Sequence, residues 1–347
     1  MTHVGELVDD IGSEEIDHSV AMPYLGHMRV VTRTGTLTPE LLLRSRRHPP
    51  AGGWRRLVHR LSGGRVHPGE SSAELWRREL TGRARTPVAG GHHRVAVLSL
   101  KGGVGKTTTT VGLGSTLAGI RGDRVIAVDA NPDHGTLSDK LRLETPATVR
   151  DLLAELVGMD SPRYADVRAY TSQSASSRLE ILASSRDPSL SETFSAEDYL
   201  TVSTLLEHFY SICITDCGTG LLHSAMSAIL GAADQIVLVT TPSVAAARSA
   251  GATLDWLEAH GHARLAHAAT VVLSGVHPKS KSTVDLAALR NYFDERCQAV
   301  VSIPFDPHLE EDAEIELDQL GEETRNAYLT LAAIVGDGFS RPRLRKV

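Results

Sequence analysis

The sequence predicts an α/β fold, a mostly parallel sheet with helices on both faces, preceded by a partly disordered N-terminal extension with short helices. Three observations carry this reading. From residue 94 onward, near-continuous apolar runs alternate with helical stretches, the pattern of strands buried on both faces and joined by crossover helices. A glycine-rich loop, "LKGGVGKTTTT" at 100–110, lies where the first run becomes the first helix. Of 347 residues, 41% are apolar but only 4% aromatic, so the core is expected to be built from Ala, Val, Leu and Ile.

Taken in order, residues 1–43 read as a flexible acidic leader. Glu6, Asp9, Asp10, Glu14, Glu15 and Asp17 stand in its first 28 residues without a Lys or Arg. Residues 44–90 read as an arginine-rich linker. Between 44 and 86 it carries eleven Arg, no Lys and three Glu, with breaks at "HPPAGG", "SGG" and "HPGESS". Two short helices are expected in it. The first, "GWRRLVHRLSGG", puts Trp54, Leu57, Val58 and Leu61 on one stripe. The second opens with a capping box, Ser71 followed three residues later by Glu74. Two readings of these helices stay open: apolar stripes packed on the neighbouring domain with arginines in water, or a basic surface for lipid, nucleic acid or a partner groove. Residues 91–338 read as one phosphate-loop domain. Its strands are expected at 94–100, 124–129, 178–183, 211–217, 235–241, 269–275 and 299–304, with helices such as 106–121, 244–260 and 282–293. Residues 339–347 form a basic tail with Arg341, Arg343, Arg345 and Lys346.

Several classes are disfavoured. A formal charge of -6 does not mark the whole molecule as a nucleic-acid binder. Cys213, Cys217 and Cys297 form no metal-type pair, which suits a reducing cytoplasm. No apolar run reaches the length of a membrane span, and the acidic start is unlike a secretory signal. The protein is therefore expected in the cytoplasm, at most peripheral at the inner membrane face. The sixteen histidines are scattered, with no zinc-type spacing on a helix, and no G-x-S-x-G elbow follows a strand.

The glycine loop carries the chemistry. Gly102, Gly103, Val104 and Gly105 bring backbone N–H groups to the positive end of a helix, where phosphate oxygens bind. Lys106 adds a charge for the terminal phosphates, and the Thr107 hydroxyl, next to Thr108, is suited to Mg²⁺. The pattern departs from G-x-x-x-x-G-K-[ST], since Leu100 stands at the first glycine position. An extra lysine, Lys101, precedes the glycines.

K-G-G-V-G-K-T-T resembles the deviant Walker A loop of the ParA/MinD ATPases, P-loop NTPases of the SIMIBI type. The resemblance implies that Lys101 reaches across a dimer interface to the partner's nucleotide. "VDANPDHGTLSD" resembles the family's first switch: Asp129 matches the strand-ending aspartate, whereas Asn131 departs from the usual second aspartate. An amide cannot take a proton as a carboxylate does, so slow turnover is expected, with Asp133 as a possible substitute. "SICITDCGTG" resembles the second switch, implying that Asp216 holds Mg²⁺ through water. "SIPFDPHLEEDAEI" resembles the late loop near the base, which implies Pro304 and Asp306 close to adenine. Ser274 stands where many relatives carry a base-reading asparagine.

The resemblance covers roughly residues 94–337. "DANPDHGTL", "DCGTGLLHSAM" and "GWRRLVHR" look most like MinD-like proteins associated with type VII secretion in actinobacteria. What it implies is a Mg²⁺-dependent ATPase, catalytic through Lys101, Lys106, Asn131, Asp133 and Asp216. The metal would rest on Thr107, Asp129 and Asp216, and ATP would drive a homodimer that meets a secretion-apparatus or membrane-associated partner. Two alternatives stand beside it: a partitioning ATPase that binds DNA, and a nucleotide-binding scaffold with little hydrolysis.

Overall fold

The computed structural model describes residues 61–62, 71–131, 135–156, 159, 161–184, 194–221, 224–277, 284–311 and 313–341. By internal contacts the chain divides into Met1–Gly69 and Glu70–Val347, and every element named below belongs to the second unit. The acidic leader, the helix expected around Trp54, Asp133 and residues 342–347 of the tail lie outside the described residues.

Eight strands form one sheet: β1 (His93–Leu98), β2 (Val125–Ala130), β3 (Ser172–Gln173), β4 (Glu180–Leu182), β5 (Ile212–Cys217), β6 (Gln235–Thr240), β7 (Thr270–Val276) and β8 (Ala299–Pro304). Their order is β3-β4-β2-β5-β1-β6-β7-β8. Every neighbouring pair is parallel except β3–β4. The seven expected strands are all present, and the short antiparallel edge strand β3 is an addition. Two residues give no hydrophobic run to read, so β3 exists only because β4 offers a ladder. The main helices are α1 (Ser72–Ala84), α2 (Lys106–Ile120), α3 (Val149–Leu156), α4 (Ala196–Leu206), α5 (Ser224–Ala232), α6 (Val244–Ala259), α7 (Leu286–Asp294) and α8 (Glu322–Gly336).

Strand alternation divides the core between the two faces. Val95 and Val97 point toward α2 and α8, packing with Val111, Leu113, Leu117, Leu331 and Val335. Ala96 and Leu98 point the other way, toward Met226 and Ile229 of α5 and Leu254 and Leu257 of α6. Ile126, Val128 and Leu182 complete that second face against Val149, Val202 and Leu206. Both sides of each central strand are thus covered, which is why β1, β2, β5 and β6 are buried throughout.

Helix α1 forms with the capping box expected of it: the Ser71 hydroxyl accepts from Glu74 N–H, and the Glu74 carboxylate accepts from Ser71 N–H at 2.7 Å. It lies along α8. Leu80 and Ala84 are buried, the Arg83 guanidinium makes a two-point contact with Asp337, and Arg77 pairs with Glu322 and Asn326. Among the described residues, no helix is long and apolar enough to cross a membrane.

Candidate functional site: a phosphate loop at the carboxyl ends of β1, β2 and β5

β1 stops at Leu98, two residues earlier than its apolar run suggests. The Ser99 hydroxyl accepts from Lys101 N–H and donates to Lys101 C=O, so the backbone turns there instead of pairing. The loop then relies on two glycines. Gly103 has φ 71° and Gly105 φ 87°, left-handed values that a side chain resists. A Cβ on Gly105 would also fall 2.7 Å from the Ser274 hydroxyl oxygen. Gly102 has open space around it and no such backbone demand. Val104 is buried in the core below and anchors the loop. Lys101 is exposed.

Helix α2 begins at Lys106, and its first turns converge on one carboxylate. Lys106 Nζ lies 2.7 Å from Asp216 Oδ1, Thr107 Oγ1 donates to Oδ2 at 2.7 Å, and Thr110 Oγ1 donates to Oδ1 at 3.1 Å. Asp216 is fully buried and the Lys106 side chain is 9% exposed. The Thr136 hydroxyl meets Thr107 Oγ1 at 2.8 Å. A buried carboxylate is tolerable only with such partners, and here the Lys106 ammonium and two threonine hydroxyls supply them.

Asp129 stands opposite Asp216 in the β2–β5 register. Its oxygens accept from Asn131 N–H at 3.1 Å and Leu137 N–H at 3.2 Å. Burial first, and the neighbouring Asp216 carboxylate second, push its carboxyl up to about 7. Asn131 thus contributes its backbone to Asp129.

The other end of the loop opens into a cavity of about 330 Å³ lined by Gly103, Gly105, Thr108, Ser274, Pro304 and Asp306, among others. All the expected base-side residues are therefore brought together with the phosphate loop. Asp306 has structural work as well. It caps the short helix Pro307–Glu310 by accepting from His308 N–H, and it accepts from Gly321 N–H at 2.9 Å just before α8. Although burial works against it, these bonds and one from Thr324 hold its carboxyl below the ordinary aspartate value.

Sequence reasoning missed Thr110, Thr136, Thr241, His277 and Phe305. Thr110 was findable, since it lies four residues after Lys106 and so on the same helix face. His277 and Phe305 were not, because their meeting depends on the β7–β8 register. Pro242 lines the cavity, while α6 itself begins at Val244 behind a Ser243 cap.

The donors gathered around Asp216 are Thr107, Asp129 and Asp216 oxygens, the type a hard divalent cation takes, so the residues present fit Mg²⁺. The loop N–H groups and the Lys106 ammonium fit phosphate. Fold and site together define a P-loop nucleotide-binding protein. Residues 95–317 match the CobQ/CobB/MinD/ParA nucleotide binding domain, and the chain belongs to that family. It is 36% identical over 291 residues to the ESX-1 secretion-associated protein EspI of Mycobacterium tuberculosis, covering 83% of this chain and 42% of that protein. The chain thus spans less than half the length of that relative. It is 32% identical over 167 residues to the septum site-determining protein MinD of Synechocystis, 48% of this chain and 59% of the other. In fold it resembles MinD of Pyrococcus horikoshii, a structure solved with Mg-ADP, with TM-score 0.57 and 24% identity over 70% of this chain and 94% of that one.

Proposed function

We propose that this chain binds ATP with Mg²⁺ on the 101–108 loop, hydrolyses it slowly, and uses the nucleotide to switch between a monomer and a face-to-face homodimer. The observation that carries the reading is the convergence of Lys106, Thr107 and Thr110 on Asp216 beneath a left-handed glycine loop. Triphosphate oxygens would draw the Lys106 ammonium from Asp216, freeing the carboxylate. Thr107, Asp129 and Asp216 would then hold Mg²⁺, which supplies charge neutralisation for phosphoryl transfer. Lys101 is exposed at the loop, which supports its being lent as a cation to a second protomer. Likeness to a secretion-associated relative supports service to a secretion apparatus or a partner at the inner membrane face.

A second reading is a nucleotide-binding scaffold with little turnover. It is favoured by Asn131, whose amide orients water but takes no proton. ATP turnover and particle mass of the wild type, Lys101→Ala and Lys106→Ala separate the two. Lys106→Ala should lose nucleotide. Lys101→Ala should keep binding while turnover drops by roughly 10²-fold or more and pairing fails. Tight binding by the wild type without turnover would favour the scaffold. A wild-type mass unchanged by ATP would overturn the switch.

A further inference from the structure

β4 ends at Leu182, and the chain runs on beside β2. Leu182 pairs with Val128, so the next two residues, Ala183 and Ser184, draw level with Asp129 and Ala130. Val149 N–H donates to Ala183 C=O at 2.8 Å and fixes the backbone there. The Ser184 hydroxyl oxygen is buried and has no hydrogen-bond partner among the described residues. It nevertheless lies near a carboxylate. A Cβ on Gly135 would fall 1.8 Å from Ser184 Oγ and 2.7 Å from Asp129 Oδ2, so both oxygens crowd the same side of that glycine.

Burying a hydroxyl without a partner is unfavourable, and each exception in a folded chain calls for a reason. Asp129 accepts from the N–H groups of Asn131 and Leu137, both on the segment that follows β2. Ser184 comes from a different strand, so it supports the carboxylate independently of that segment. Across the β2–β5 register, Asp216 already has the hydroxyls of Thr107 and Thr110. A carboxylate that serves a metal is itself held by hydrogen bonds, which set its direction. We infer that Ser184 is a further positioning residue on the metal side of the site: its hydroxyl donates to the Asp129 carboxylate when that group turns to Mg²⁺ and its water shell. This rests on the nucleotide reading above and adds a residue to it.

Calorimetric titration of Mg²⁺ into the full chain saturated with a non-hydrolysable ATP analogue tests it, with Ser184→Ala beside the wild type. Loss of the hydroxyl should weaken Mg²⁺ by roughly tenfold or more. Affinity for the analogue in excess chelator should not change. Ligand-free melting should stay level or rise, since the hydroxyl has no bond to lose there. Unchanged Mg²⁺ affinity in Ser184→Ala would overturn the inference. So would a lowered ligand-free melting point, or an equal loss of analogue binding with and without Mg²⁺, because either marks a structural role. All three results leave the phosphate-loop reading standing, whereas failure of the wild type to bind the analogue at all would sink both together.

Discussion

Lys106 and Asp216 form a buried ion pair. Removing the lysine strands a carboxylate at 0% exposure, and breaking such a pair costs about 3–5 kcal/mol. Lys106→Ala should therefore lower ligand-free stability by that order in urea unfolding, and adding Asp216→Asn should recover much of the loss. Asp129 gives a pH signature. Its carboxyl is raised to about 7 from an ordinary value near 4, so between those values the folded chain holds a proton that the unfolded chain has lost. Stability should then fall as pH rises from about 4 to about 7, and Asp129→Asn should flatten that part of the melting profile. The sequence exposed these residues because each ends a strand or opens a helix beside a glycine turn. It hid Thr136 and the Asp306 bonds, which exist only once distant segments meet.

At the scale of elements, the packing of α1 on α8 was the least legible feature. Its capping box was visible, but its partner lies some 250 residues away and no local pattern names it. Contact is close at the carboxyl end of α1. Gly336 lies so near Arg83 C=O that a Cβ would clash, and Arg121, just past α2, donates to Ala84 C=O and Thr86 C=O at 2.7 and 2.9 Å. Gly336→Ala should wedge the helices apart at a cost of about 1–3 kcal/mol, and Leu80→Ala should cost about 2–4 kcal/mol, both read as lower thermal midpoints. Arg77, Arg83 and Arg85 are spent on Glu322, Asp337 and Ile120 C=O. Leu80 and Ala84 of this helix are packed, whereas Leu75 and Trp76 stay 52% and 42% exposed, so the reading of packed stripes holds for only part of it. The strands were legible for the opposite reason, since burial on both faces makes each an unbroken apolar word.

At the scale of the molecule, the strand order turns at β1: the chain moves through β2, β4 and β5 on one side and β6, β7 and β8 on the other. The phosphate loop stands at that turn, where α/β sheets bind ligands. If Lys101 serves a second copy, the two lysine variants should complement each other. A Lys101→Ala protomer retains Lys106, and a Lys106→Ala partner retains Lys101, so a mixed dimer has one complete site. Each variant alone should be inactive, while an equimolar mixture should regain measurable turnover, below that of the wild type, from the mixed dimers that form. An inactive mixture that still forms dimers would argue against action in trans.

Asp306 belongs to the wall of the cavity and, through Gly321, to the start of α8. That helix is a rod of fifteen residues, about 22 Å long, to which α1 is riveted at Glu322 near one end and Asp337 at the other. A ligand that displaced Asp306 would act at the root of the rod to which α1 is fixed.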